Sequence, residues 1–237
     1  ARLYLYDAKY DYDGSNGPEE DNTGKARQWT GAVYSKNRLT ADWLSTVTFS
    51  QTDIKRRYST ENGFASIWWD PNGVSDYRSK TGMLQWVNEI ALSNEWTATV
   101  GVDGAHEKAE TTENGFGNDY SRNKYSAYAG VLGKVGPHNW QANVRYDDVK
   151  DAGSEFTGYL GYGYDLTPEW KLLASTSSSF LAPTLWQQRD TKYGNVQLKA
   201  EKSRANEVGI QYASGPTLVR LSAFQWHTRD LINWDTA

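Results

Sequence analysis

Trp140-Gln141-Ala142-Asn143-Val144-Arg145-Tyr146-Asp147 is the stretch that decides the fold. Trp140, Ala142, Val144 and Tyr146 fall on one side, and Gln141, Asn143, Arg145 and Asp147 on the other. A β-strand sends successive side chains to opposite faces, so this alternation marks a strand between two different surroundings. Two further stretches read the same way. In Trp96–Gly104, Trp96, Ala98, Val100 and Val102 oppose Thr97, Thr99, Gly101 and Asp103. In Asn206–Tyr212, Val208, Ile210 and Tyr212 oppose Glu207, Gly209 and Gln211. No helical period of useful length competes with them.

From these anchors the chain divides into eleven strands, approximately 1–12, 28–38, 43–57, 81–93, 96–106, 124–135, 140–148, 156–164, 170–178, 204–213 and 217–229. Short and long connections alternate. The short ones, Leu39–Asp42, Ser93–Glu95, Gly136–Asn139, Asp165–Glu169 and Ala213–Pro216, carry Gly136, Pro137, Pro168, Gly215 and Pro216, which is turn chemistry. The long ones, 13–27, 58–80, 107–123, 149–155 and 179–203, are polar. Short turns at one end and long loops at the other suit an antiparallel transmembrane β-barrel with short periplasmic turns and long extracellular loops. A soluble sandwich or propeller also consists of hairpins, but gives no reason for one-sided loop lengths.

Trp43, Trp96, Trp140 and Trp170 each follow a short turn immediately. At one height they make an aromatic girdle at a membrane interface; in a soluble sandwich they are core residues at strand starts. Glu89, Asp103, Arg145, Asp147, Glu207 and Arg220 lie within strands on the face opposite the apolar one. Charges are seldom buried without partners, so a large barrel with a water- or plug-filled lumen fits better than a small dry one.

Composition narrows the function. The 237 residues hold 25 Lys plus Arg and 29 Asp plus Glu, a net charge of −4 that gives no electrostatic reason to bind nucleic acid. Hydrophobic residues are 38% but aromatics reach 14%, which argues against disorder. No run approaches the ~18 apolar residues of a transmembrane helix. The mean hydropathy of −0.76 does not count against a barrel, in which alternate residues face lipid. The absence of cysteine excludes disulfides, thiolate metal sites and a Cys nucleophile. Ala1–Tyr12 has no signal-peptide pattern. Catalysis is not expected. His106, His138 and His227 are far apart, neither a Gly-x-Ser-x-Gly elbow nor a phosphate-binding glycine loop occurs, and Asp147 and Asp148 point to opposite faces.

Ser179-Phe180-Leu181-Ala182-Pro183-Thr184, Tyr193-Gly194-Asn195-Val196-Gln197-Leu198-Lys199-Ala200-Glu201-Lys202-Ser203 and Glu207-Val208-Gly209-Ile210 form a specific series. It resembles the "F-x-A-P-T … Y-G-N-P-x-L-K-P-E-x-S … E-x-G" stretch of the TonB-dependent outer-membrane receptors, departing from it at Val196 and Ala200, where that family has Pro. Asp230-Leu231-Ile232 stands at the spacing of the family's "D-L-I". Leu84–Asn88, Gly101–Gly104, Val144–Asp148, Tyr159–Tyr164 and Asp11–Ser15 resemble one subfamily, the vitamin B12 (cobalamin) receptors. Ferric siderophore and haem receptors are near neighbours. The resemblance implies a barrel of about 22 strands closed around a plug, with energy delivered by TonB. Residues 1–237 are then expected to be a partial barrel domain without the plug or the first and last strands.

Candidate sites follow. Tyr58, Trp68, Trp69 and Tyr77 in the 58–80 loop, with Trp186, Gln187 and Arg189 after the Phe180–Thr184 motif, could take a flat ligand such as a corrin or aryl siderophore; the alternatives are self-packing or contact with the membrane interface for the first group and a plain surface loop for the second. Asp11, Asp13 and Asp21, near Glu19 and Glu20, offer hard oxygens for Ca²⁺, and the resemblance to cobalamin receptors implies such acidic loop residues; from the residues alone a solvated acidic loop is the simpler reading. Lys55, Arg56 and Arg57 could meet phosphates of lipopolysaccharide or an anionic siderophore, or form a solvated charge run. The expected protein is therefore a receptor of the Gram-negative outer membrane importing a scarce nutrient, cobalamin foremost. Its partners are lipid, lipopolysaccharide and, through the plug, TonB. A soluble aromatic-rich carbohydrate-binding domain and a passive porin are the contrasting classes.

Overall fold

A computed structural model describes residues 1–14, 17–61, 73–113, 116–190 and 194–233. Eleven strands form one antiparallel sheet in chain order: β1 (Arg2–Gly14), β2 (Gly17–Arg38), β3 (Trp43–Glu61), β4 (Val74–Ala91), β5 (Trp96–Glu113), β6 (Phe116–Val135), β7 (His138–Val149), β8 (Gly153–Asp165), β9 (Trp170–Leu181), β10 (Glu201–Ser214) and β11 (Thr217–Arg229). One short helix, α1 (Leu185–Arg189), lies between β9 and β10. The sheet is open: β1 pairs only with β2, and β11 only with β10.

The strand number agrees with the sequence reading, but the alternation of short and long connections does not: β1 and β2, β5 and β6, and β7 and β8 follow one another as closely as the strands joined by the expected tight turns. Residues 17–27, 74–80, 107–113 and 116–123 are strand, and Gly14 of β1 pairs with Gly17 of β2. The hairpins continue past the apolar stretch, because backbone pairing does not depend on side-chain hydropathy. Both faces there are polar, so the alternation that marks a strand disappears. Segment 179–203 contains a helix the period did not show. Its signal is a capping box: the Thr184 hydroxyl accepts from the Gln187 amide, and the Gln187 side chain accepts from the Thr184 amide.

Register sets the two faces. Trp43, Val47, Phe49, Leu84, Trp86, Val100, Val102, Val131, Ala142, Val144, Leu160 and Val208 share one face. This apolar face is uncovered, with Leu84 56% and Val208 60% exposed. Apolar surface of this extent demands a partner, and lipid is the partner a barrel wall has. The opposite face holds Asp103, Glu107, Arg122, Tyr128, Arg145 and Asp147, and α1 packs on it through β5 and β6, so it is the inside. There Arg145 joins Asp103 at 3.0 Å and Asp147 at 2.9 Å beneath the Tyr128 ring, and the Ser126 hydroxyl donates to Asp147 at 2.7 Å. Arg220 likewise meets Glu207 at 2.8 Å.

Ser45 and Asn88, polar residues on the outer face, stand opposite each other across β3 and β4. Both are buried because tryptophans cover them: the Trp43 indole N–H donates to Asn88 and the Trp86 indole N–H to Ser45, each at 2.9 Å. Four groups that would be costly in hydrocarbon thus satisfy one another.

Tight turns close the other end. Gly136-Pro137 and Gly215-Pro216 are two-residue links in which the glycine takes φ +54°, the sense that matches strand twist. At this rim Asp165, the last residue of β8, receives Lys134 and Lys171, each at 3.0 Å. These bonds, Lys134's first, lower its pKa to about 2 from 3.8. A carboxylate held low in the folded state adds stability above its unfolded pKa and loses it as pH falls through the folded value. Asp165→Asn is therefore expected to lower stability at neutral pH. The difference from the parent should narrow from about pH 4 and vanish only once the pH falls below about 2 in urea titrations at stepped pH.

Candidate functional site

At the end of the sheet away from the tight turns, the inner face of β1–β4 is lined by tyrosines. Tyr10 and Tyr58 stand on either side of Gly24 in register, and the Tyr10 ring lies where a Cβ on Gly24 would be. Tyr10 and Tyr12 have ring centroids 6.0 Å apart, and Tyr58 meets Tyr77 edge-on at 5.9 Å. A hydrogen bond with Tyr58 pushes the Tyr10 phenol above its ordinary pKa. The result is a wall of rings with polar tips, mounted on paired strands rather than on loops.

Opposite this wall sits α1. Pro183 is fully buried and its carbonyl accepts from the Arg122 guanidinium at 2.7 Å. Arg122, itself 6% exposed, also bonds Glu107 at 2.7 Å. Gln188 donates to the Asp151 carbonyl at 2.8 Å and Arg189 to the Asp151 carboxylate at 2.7 Å. Asp151 holds φ +66° in the β7–β8 turn, a conformation Asp tolerates better than most residues. The helix is thus strapped to β5, β6 and the β7–β8 turn. Between it and the strands lies a cavity of about 420 Å³, lined by Ile54, Arg56, Tyr77, Thr111, Arg122 and Trp186 among others.

Among the residues singled out for ligand, Tyr58, Tyr77 and Trp186 come to this mouth. Tyr58 and Tyr77 do so as strand residues of β3 and β4, not as loop residues. Gln187 is committed to the helix cap and Arg189 to Asp151. Trp68 and Trp69 lie outside the described residues. The sequence reading missed Tyr10, Tyr12, Glu107 and Arg122; the tyrosines carried a legible signal, alternating with Lys9, Asp11 and Asp13.

Of the acidic trio, register sets Asp13 opposite Asp21, with Asp11 two residues on. The Asp11 carboxylate accepts from the Thr23 hydroxyl at 3.1 Å and lies 3.9 Å from Lys9 Nζ. Among the described residues no three His, Asp or Glu gather as a metal cage. Lys55 and Arg57 lie on the outer face and Arg56 on the inner.

Trp43, Trp96, Trp140 and Trp170 fall on the outer face near the tight turns. Trp140 and Tyr162 pack at 4.4 Å, Trp170 and Tyr212 at 4.9 Å, and His138 bonds the Tyr162 hydroxyl at 2.7 Å. The flagged motifs tie the chain end together. The Ile232 amide donates to Glu201 at 2.9 Å, Ser203 bonds Thr228 at 2.8 Å, and Lys202 pairs with Glu155. Asn195 caps the turn through Gln197 at 2.9 Å.

The family model described as "TonB dependent receptor-like, beta-barrel" matches residues 2–237. The vitamin B12 transporter BtuB of Vibrio cholerae serotype O1 is 25% identical over 244 residues, covering 100% of this chain and 37% of that protein. The chain therefore spans little more than a third of this curated relative. Among solved structures, the outer membrane transporter YddB from Escherichia coli aligns with TM-score 0.73 and 12% identity, over 92% of this chain and 36% of that one. The copper transporter OprC aligns with TM-score 0.66 and 12% identity, over 88% and 39%. The siderophore receptor PirA from Pseudomonas aeruginosa aligns with TM-score 0.55 and 15% identity, over 89% and 49%.

Arg122→Ala removes the anchor of α1 and leaves Glu107 with Lys124, 3.1 Å away, as its remaining cation. A loss of about 2 kcal/mol is expected for losing the charge-assisted hydrogen bonds to Glu107 and Pro183. Hydrogen exchange should locate it: Leu185–Arg189 amides exchanging faster, with the β2–β3 ladder unchanged.

Proposed function

Because the chain belongs to the TonB-dependent receptor β-barrel family, we propose that it forms part of the wall of a Gram-negative outer-membrane receptor. That receptor captures a scarce nutrient, cobalamin first, and imports it on energy passed by TonB to a plug. The observation that carries this reading is the pairing of an uncovered apolar outer face with a tyrosine-lined inner mouth closed on one side by α1. The first needs lipid; the second suits a large, flat, partly apolar ligand that leaves chemically unchanged. The whole-chain likeness to a vitamin B12 transporter supports cobalamin.

The open edges of β1 and β11 support a larger barrel, since unpaired backbone groups are not tolerated in hydrocarbon. Trp43, Trp96, Trp140 and Trp170 would set the inner interface, with the tight turns in the periplasm and the long hairpins outside. Ca²⁺ would be held by Asp11, Asp13 and Asp21. Hard carboxylate oxygens suit this ion. It would order the β1–β2 hairpin beside the mouth. A second reading, a ferric siderophore or haem, is favoured by Arg56, which lines the mouth cavity and suits an anionic chelate.

Titration of the full-length receptor in detergent tests this. Cyanocobalamin should bind, more tightly with Ca²⁺ than with chelator, and Tyr58→Ala and Tyr77→Ala should each weaken it about tenfold, or about 1.4 kcal/mol. Binding of a ferric siderophore alone selects the second reading. A monodisperse protein without detergent would sink both, and uptake that persists without membrane energy would mark a porin.

A further inference from the structure

The two rows of cations on the outer face have no place in nutrient capture. In one row Lys9, Lys25 and Arg57 stand directly opposite one another across β1, β2 and β3. In the next, Arg27, Lys55 and Arg78 do so across β2, β3 and β4. Like charges directly opposed across strands destabilise a sheet. Carboxylates answer some of them. Arg27 meets Asp7 at 2.6 Å, Arg78 meets Asp53 at 2.5 Å, and Arg57 and Lys9 reach Asp76 and Asp11 only at 3.9 Å. Lys25 and Lys55, the middle members of the two rows, have no carboxylate within 4.0 Å among the described residues. Together the rows line a surface cavity of about 660 Å³.

Position says what would fill it. One register step from the second row, on the same face, stand Leu5 and Trp29, 69% and 40% exposed. Phe49 and Leu84 lie further down that face. A step of two residues along a strand is about 7 Å, so the cations begin at the level where lipid headgroups follow acyl chains. They lie at the end opposite the tight turns and point away from the lumen.

We propose that this patch is a binding site for the phosphorylated headgroup of lipopolysaccharide in the outer leaflet. Arg57 supplies paired N–H donors to phosphate oxygens and Lys25 and Lys55 supply point charges beside it, while Arg27 and Arg78 stay bonded to Asp7 and Asp53 and frame the site. The bound anion relieves the cross-strand repulsion. The site rests on the outer-membrane reading but not on the choice of nutrient.

The test is binding of lipid A in detergent to the full-length receptor and to its Lys25→Gln/Lys55→Gln/Arg57→Gln variant, with folding checked by heat-modifiable migration. Bisphosphorylated lipid A should bind the parent at least tenfold more tightly than dephosphorylated lipid A, and the variant should lose that preference while binding cyanocobalamin as before. Equal affinity for the two lipids, or an unchanged preference in the variant, overturns the site. Full competition by millimolar inorganic phosphate would assign it to free phosphate, and equal binding of phosphatidylglycerol to lipid headgroups at large; either overturns lipopolysaccharide as the occupant. Because cyanocobalamin binding is read in the same samples, failure of the nutrient assignment is scored separately. A receptor that needs no detergent would fail the shared premise instead.

Discussion

The structure depends on one constraint: a chain that crosses lipid must pair its backbone N–H and C=O groups within itself. Eleven strands in strict neighbour order meet it by pairing each strand with the next along the chain, leaving β1 and β11 as the edges of the sheet. With the ladder continuous, side chains are left only two directions, and period two follows. The tight Gly-Pro links add to this by joining strands with no slack, so the register begun at Val135 and His138 runs unbroken to Lys124 and Val149.

The same constraint explains where polar groups are found in the membrane-level part of the wall. On the inner face ionic pairs are allowed because the lumen is wet or filled, and Arg145 bridges two aspartates there. On the outer face Ser45 and Asn88 have their hydrogen bonds closed by the crossed pairing of Trp43 with Asn88 and Trp86 with Ser45. Sequence reading treats these tryptophans as rings only. Their donor role depends on register, which places Trp43 opposite Ile90 and so one step from Asn88.

How far the sequence could be read follows from the same physics. Where one face meets lipid and the other water, as in Trp140–Asp147, alternation is plain and the strands were legible. Above that level both faces meet water. Lys108 and Glu110 then look no different from Glu107 and Thr111, and the segment reads as loop although it is paired throughout. The acidic and aromatic candidates were noticed for their composition, but their side of the wall could not be known without the true strand limits. Arg122 was invisible for another reason. Its partners are Glu107, fifteen residues away, and Pro183, sixty-one away, and no local pattern records such distances. The helix was short enough that only its cap, Thr184 to Gln187, carried information.

Mounting the mouth on strands rather than loops has a consequence for both faces. In Lys55-Arg56-Arg57-Tyr58, odd positions face outward with the cationic rows and even positions inward with the tyrosines. The two surfaces are therefore written on alternate residues of one segment. A strand held between two neighbours cannot rotate one set without the other, and a one-residue slip would exchange them, putting Tyr58 outside and Arg57 in the lumen. Rigid pairing is thus what allows adjacent residues to serve opposite surroundings. α1 extends the same logic: strapped to Arg122 and Asp151, it brings Trp186 to the mouth from a position set by the sheet, so a ligand of the proposed kind would meet a surface already ordered and would lose less ordering entropy on binding.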